Sequence, residues 1–97
     1  MYIRQVIILD DVEEKIWRKH HVRDFEVKEV FKNRPHIEFR EKGEVAEGED
    51  LYSAWRRTHA GRYLIVFFIH KFTQDALILS ARDMNKTERK FYAKKKH

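Results

Sequence analysis

Leu79-Ser80-Ala81-Arg82-Asp83-Met84-Asn85-Lys86-Thr87-Glu88-Arg89-Lys90-Phe91-Tyr92 holds the densest chemistry in this chain. An apolar run enters Arg82, and a helix signal follows at once. That helix carries Glu88, Arg89 and Tyr92 on consecutive turns. A guanidinium stays charged near neutrality, so Arg82 is a fixed cation beside a basic helix face. Such an arrangement suits the gripping of a phosphate backbone.

Further cations precede this stretch. If Ala60-Gly61 turns the chain so that His59 pairs with Arg62, and the next loop pairs Lys71 with Ala76, then Arg56, Ile65 and Arg82 lie side by side on one face. Two arginines flanking an apolar residue would clamp a phosphate. A one-residue slip exchanges Arg56 for Arg57. The plainer reading is that these arginines pair with Glu88 or Asp50 and only stabilise the fold. Arg89 points to solvent on the last helix and is a second candidate phosphate contact.

His20 and Lys19 close the first helix. Histidine is the residue type that exchanges protons near neutrality, which makes His20 a candidate general acid or base. A histidine here also simply complements the helix dipole. His21 shares the turn, and Lys19 is a candidate phosphate contact. Tyr92 can stack on a base or donate a proton, although a tyrosine in this place is more often core with a wet hydroxyl. Glu88 fits best as the partner of Asn85 in a capping box. Trp17 and Trp55 are expected in the core rather than under nucleobases.

Six histidines raise the question of metal, but His20-His21 lacks the i, i+4 spacing of a helical chelate, and His59 and His70 fall at opposite ends of a hairpin. No metal and no nucleotide cofactor is expected, since the three glycines are not grouped into a phosphate loop. There is no cysteine, hence no disulfide and no thiolate zinc site.

The 97 residues allow one domain, spanning 1–97. Hydrophobic residues make up 42% and charged residues 38%, too apolar for a disordered chain. Net charge is +5. Glu41 to Asp50 holds five acids and one base, and the rest of the chain carries 20 bases against 11 acids. A basic body with one acidic loop favours an anionic partner. The start of the chain lacks the pattern of a signal peptide, and Tyr63 to Ile69 is too short to span a bilayer. A cytoplasmic protein without a membrane partner is expected.

The elements that must position these groups follow from periodicity. Val6 to Leu9 reads as a strand, and Asp10-Asp11 cap a first helix. Asp24 starts a second, with Val27, Val30 and Phe31 as its stripe and Asn33-Arg34-Pro35 as its stop. Strands are expected at His36–Arg40, Leu51–His59, Arg62–Lys71 and Ala76–Arg82, the third covered on both faces. The final helix starts at Asn85. The whole is α+β: an antiparallel four- to five-stranded sheet with two N-terminal helices and one C-terminal helix.

Three blocks resemble the BrnT family, small bacterial ribonuclease toxins of toxin–antitoxin pairs. They are Lys19-His20-His21-Val22 followed by Glu29-Val30-Phe31; Arg57-Thr58 followed by Gly61-Arg62-Tyr63-Leu64-Ile65-Val66; and the opening stretch, where the family reads roughly Ile-Ser-Ala-Arg, a spacer, Glu-Arg, then Tyr. The blocks keep their order and near-correct spacing across most of the chain. His21 stands where the family usually has glycine, and Glu49-Asp50-Leu51 where many relatives carry an arginine. The resemblance implies a RelE-like fold, metal-independent cleavage of messenger RNA, neutralisation by a cognate antitoxin, and operator DNA binding through that complex. Such cleavage uses the 2′-hydroxyl as nucleophile, a base, an acid, and cations around the phosphorane-like transition state. Arg82, His20, Arg57 and Tyr92 would then be catalytic, and Lys19, Arg56, Arg62 and Arg89 would bind RNA. A non-catalytic RNA- or partner-binding module on the same fold is the second reading. A gyrase-poisoning toxin is a third and weaker one, because those proteins lack the C-terminal motif.

Overall fold

Acids open the first helix and bases close it, matching the helix dipole. α1 (Asp10–His20) starts with Asp10, Asp11 and Glu13 and ends with Arg18, Lys19 and His20. The N-cap position is Leu9, with no side-chain cap, so both aspartates lie inside the first turn rather than before it. His21 ends the helix with φ 53°, and its N–H donates to the Trp17 carbonyl at 2.9 Å. α2 (Asp24–Lys32) follows directly, and Glu26 accepts the Arg23 N–H at 2.9 Å.

The computed structural model describes residues 1–43 and 49–95. The acidic stretch Glu41–Asp50 therefore falls outside it at residues 44–48, as does Lys96 of the basic tail. Five strands form one sheet: β1 (Val6–Ile7), β2 (His36–Glu41), β3 (Leu51–Arg57), β4 (Tyr63–His70) and β5 (Ala76–Asp83), in the order β1-β5-β4-β3-β2. β2 to β5 pair antiparallel as expected. β1 pairs parallel with β5, Val6 opposite Ala76. α3 (Lys86–Lys95) closes the chain.

β4 is central and apolar on both faces. Leu64, Val66 and Phe68 join Ile16, Val22, Val27 and Val30 beneath α1 and α2. Ile65 joins Trp55, Met84 and Tyr92 beneath α3. Burying each large apolar side chain gives about 1.5–3 kcal/mol, so the sheet is held from both sides. Trp17 departs from expectation. It is 40% exposed and lies under the Arg23 guanidinium, 3.4 Å from its centroid. A cation–π contact covers a ring that the core does not need.

The register corrects the expected arginine clamp. On β5 the loop pairs His70, not Lys71, with Ala76, and a bulge between Phe67 and Phe68 shifts the register by one so that Ile65 still faces Arg82; on β3 Ile65 faces Trp55. The cause is the β3–β4 connection. Strand pairing stops at Arg57 opposite Tyr63, leaving residues 58–62 as a five-residue turn. Thr58 organises it, donating its N–H to the Arg62 carbonyl at 2.8 Å and accepting the Arg62 N–H on its hydroxyl at 3.0 Å. Gly61 takes φ 96°, a left-handed conformation that glycine adopts without steric cost. The slip goes opposite to the one that would have substituted Arg57.

Candidate nucleic-acid interface

Antiparallel alternation gathers four strand ends at one edge of the molecule. β3 leaves there at Arg57, β4 enters at Tyr63, β5 leaves at Asp83, and β2 enters at His36. The cations at this edge divide into two groups, neutralised and unpaired.

Arg82 belongs to the first group. Its Nη1 and Nη2 donate to the two carboxylate oxygens of Glu88 at 2.7 and 2.9 Å. Glu88 also accepts the Asn85 N–H at 2.9 Å, while Asn85 Oδ1 accepts the Glu88 N–H at 2.8 Å. The capping box is thus present, and its glutamate carries a second load. The Arg82 guanidinium, together with the Asn85 N–H, holds the Glu88 carboxyl below its ordinary range. Arg62 is also occupied. It donates to Asp83 at 2.7 and 3.0 Å, to the carbonyls of His20 and His21 at 2.6 and 2.7 Å, and to Glu26 at 3.2 Å. It is a clasp joining the end of α1, α2 and the end of β5.

The second group has no carboxylate partner among the described residues. It includes Arg34, Arg56, Arg57, Arg89, Lys90 and Lys95. Arg57 and Arg89 lie over the Tyr63 ring, 5.3 and 4.1 Å from its centroid. Arg57 Nε donates to the Gly61 carbonyl at 3.3 Å, and the remaining N–H groups of the two guanidiniums are left for an anion. Arg56 is opposite Leu64, and β2 begins one residue short of covering it. Its Nη1 reaches the Tyr92 hydroxyl at 3.4 Å.

Around that contact lies a hollow of about 320 Å³, lined by Asn33, Arg34, Pro35, His36, Arg56, Tyr92 and Lys95. Tyr92 is only 2% exposed, with its ring in the core beside Trp55 and Ile65, so its hydroxyl is the end that meets the hollow. A second hollow, also about 320 Å³, lies beyond Tyr92 and is lined by Tyr63, Arg89, Lys90, Tyr92 and Ala93. His36 contributes an imidazole whose Nε2 lies 2.6 Å from Glu38 Oε2, which fixes its orientation. Arg34 holds φ 56° at the end of α2, which aims the chain into the hollow before Pro35.

The arrangement can hold a phosphate between three cations and place an imidazole and a phenol beside it. Tyr92 and Arg56 of the sequence candidates line the first hollow; Arg89 lines the second, and Arg57 stacks on its wall. Arg82, Arg62, His20 and Lys19 do not line either. His20 is half-buried and its carbonyl serves the Arg62 clasp; Lys19 is exposed. Sequence reasoning missed Arg34, His36 and Lys95. One signal was available: Lys95 follows Tyr92 by three residues and so shares its helix face. The convergence of Arg34 and His36 on Arg56 depends on pairing across the sheet and left no local trace. Among the described residues, no group of three histidines or carboxylates is placed to hold a metal ion, and no helix is long and apolar enough to cross a membrane. Comparison of the sequence with protein-family models and with curated proteins returns no match.

Proposed function

We propose that this protein is a cytoplasmic BrnT-like toxin of RelE-like fold, an endoribonuclease that cuts messenger RNA without a metal and is held in check by a cognate antitoxin. The observation that carries the reading is the unpaired cationic hollow of Arg34, Arg56 and Lys95 around the Tyr92 hydroxyl and His36. The sequence resemblance supports it in one further place. His21, where glycine would be expected in the family, takes a left-handed conformation that glycine favours.

In this reading the three cations hold the scissile phosphate and stabilise its developing charge. His36, oriented by Glu38, takes the proton of the attacking 2′-hydroxyl. As the P–O5′ bond breaks, the Tyr92 hydroxyl, which accepts a hydrogen bond from Arg56, gives its proton to the leaving 5′-oxygen. Arg57 and Arg89 carry the adjoining backbone past Tyr63. The role first given to Arg82 passes to Arg56, because Glu88 already cancels the Arg82 charge.

The test is cleavage of a long messenger in the presence of a chelator. The reading predicts products with 2′,3′-cyclic phosphate and 5′-hydroxyl ends. His36→Ala should lower the rate by about 10²–10⁴-fold with RNA binding retained. Binding without cleavage by the unmodified protein would instead establish the second reading, a non-catalytic RNA- or partner-binding module. The neutralised Arg82–Glu88 pair is the observation that favours it.

A further inference from the structure

A larger groove, of about 500 Å³, lies on the other side of Pro35, between the N-terminal segment, α2 and β2. Its floor is apolar: Ile3, Val6, Phe31, Pro35 and Ile37, all half-buried. Its rim is cationic: Arg4, Lys28, Lys32 and Arg34. None of the described residues lining it is acidic. Arg4 is engaged by Asp75 at 2.9 Å, whereas Lys28, Lys32 and Arg34 form no ion pair among the described residues. Arg34 and Pro35 line both this groove and the hollow around Tyr92, so a single wall separates the two.

The chemistry of the floor and rim selects the occupant. Phe31 supplies the only aromatic ring among the described lining residues, and it packs edge-on against Phe68. A strand of nucleotides stacks best on exposed aromatic faces, which this floor lacks. A lipid surface takes protruding apolar groups, and these are concave. Aliphatic side chains fit the floor. Lys28 and Lys32 are four residues apart, on one face of α2, and so present their charges one helical turn apart. Carboxylates spaced along a peptide match that interval.

We infer that this groove docks an acidic, apolar-sided peptide segment of a protein partner, and that a carboxylate of the segment captures Arg34 and withdraws it from the RNA hollow. Docking then lowers RNA binding without covering the hollow itself. Only this second effect rests on the RNA-binding reading; the docking stands on the groove alone.

The experiment follows amide shifts of the isotope-labelled full chain as a synthetic peptide of mixed leucine and glutamate is added. Shifts should appear at Ile3, Phe31 and Ile37, and the same peptide with glutamine for glutamate should bind about tenfold more weakly. The exposed double variant Lys28→Glu with Lys32→Gln should give a similar loss while its own spectrum shows the fold retained. Oligouridylate bound to the unmodified protein should be released by the acidic peptide. The inference is overturned if no groove residue shifts, if the double variant keeps full affinity, or if oligouridylate or decanoate takes the groove in preference to the peptide. Peptide shifts in the groove with no oligouridylate at the Tyr92 hollow would overturn the RNA reading and leave the docking in place.

Discussion

Arg82 and Glu88 illustrate why a cation's position does not give its availability. The two exchange a bidentate pair of hydrogen bonds, with the Arg82 side chain 32% and the Glu88 side chain 17% exposed. Arg82→Ala should therefore cost stability, about 1 kcal/mol after allowance for solvent screening, and leave RNA affinity within about twofold; urea unfolding and a binding titration read the two effects separately. Asp75 gives a pH signature of the fold. Hydrogen bonding from Arg4, with help from Thr73, lowers its carboxyl to about 2. A depressed carboxyl contributes stability that is complete above its unfolded value, near 3.8, and disappears as pH falls through about 2. The thermal midpoint should thus drop across that window, and Arg4→Met should flatten the drop. His36 was legible in the sequence only as the first residue of a strand. What makes it a candidate is Glu38 two residues on, Arg56 on the neighbouring strand and Tyr92 on α3.

At the scale of elements, local signals were readable and distant ones were not. The α2 stripe of Val27, Val30 and Phe31, its stop at Asn33-Arg34-Pro35, and the Asn85–Glu88 box each rest on neighbours within four residues. Asn85→Ala should cost about 1 kcal/mol by removing the acceptor of the Glu88 N–H. His21→Gly should raise stability by about 0.5–1 kcal/mol, because glycine relieves a left-handed φ that histidine tolerates poorly. Its packing against Trp17, with ring centroids 5.1 Å apart, keeps the gain at the low end. Both are measurable from thermal or urea midpoints. The β3–β4 register was not legible. Ala60-Gly61 has the composition of a two-residue turn, but the Thr58 hydroxyl and backbone stabilise a longer one, and that single difference replaces an arginine beside Ile65 with Trp55. The parallel pairing of β1 with β5 joins segments 70 residues apart, and nothing local in Val6-Ile7 announces it.

Across the whole molecule, unpaired cations collect at one end of the strands. Arg34, Arg56, Arg57, Arg89 and Lys95 gather where β3 ends and β2 begins. Glu49 and Asp50 lie toward the opposite end, tied to Lys71 and to the Gly43 N–H. Unpaired cations gathered in this way steer a polyanion toward that end. In the proposed function that end holds a phosphate backbone. The most direct test of that role is the slope of log affinity for oligouridylate against log salt, measured for the unmodified protein, for Arg34→Asn with Arg56→Ala, and for Arg82→Ala. Asparagine accepts the left-handed conformation at position 34, so the double variant removes charge without disturbing that turn. The expected result is a slope shallower by about 0.7 for each lost phosphate contact in the double variant, and an unchanged slope in Arg82→Ala. An unchanged slope in the double variant together with a shallower one in Arg82→Ala would place the backbone at the end of β5 and contradict the account.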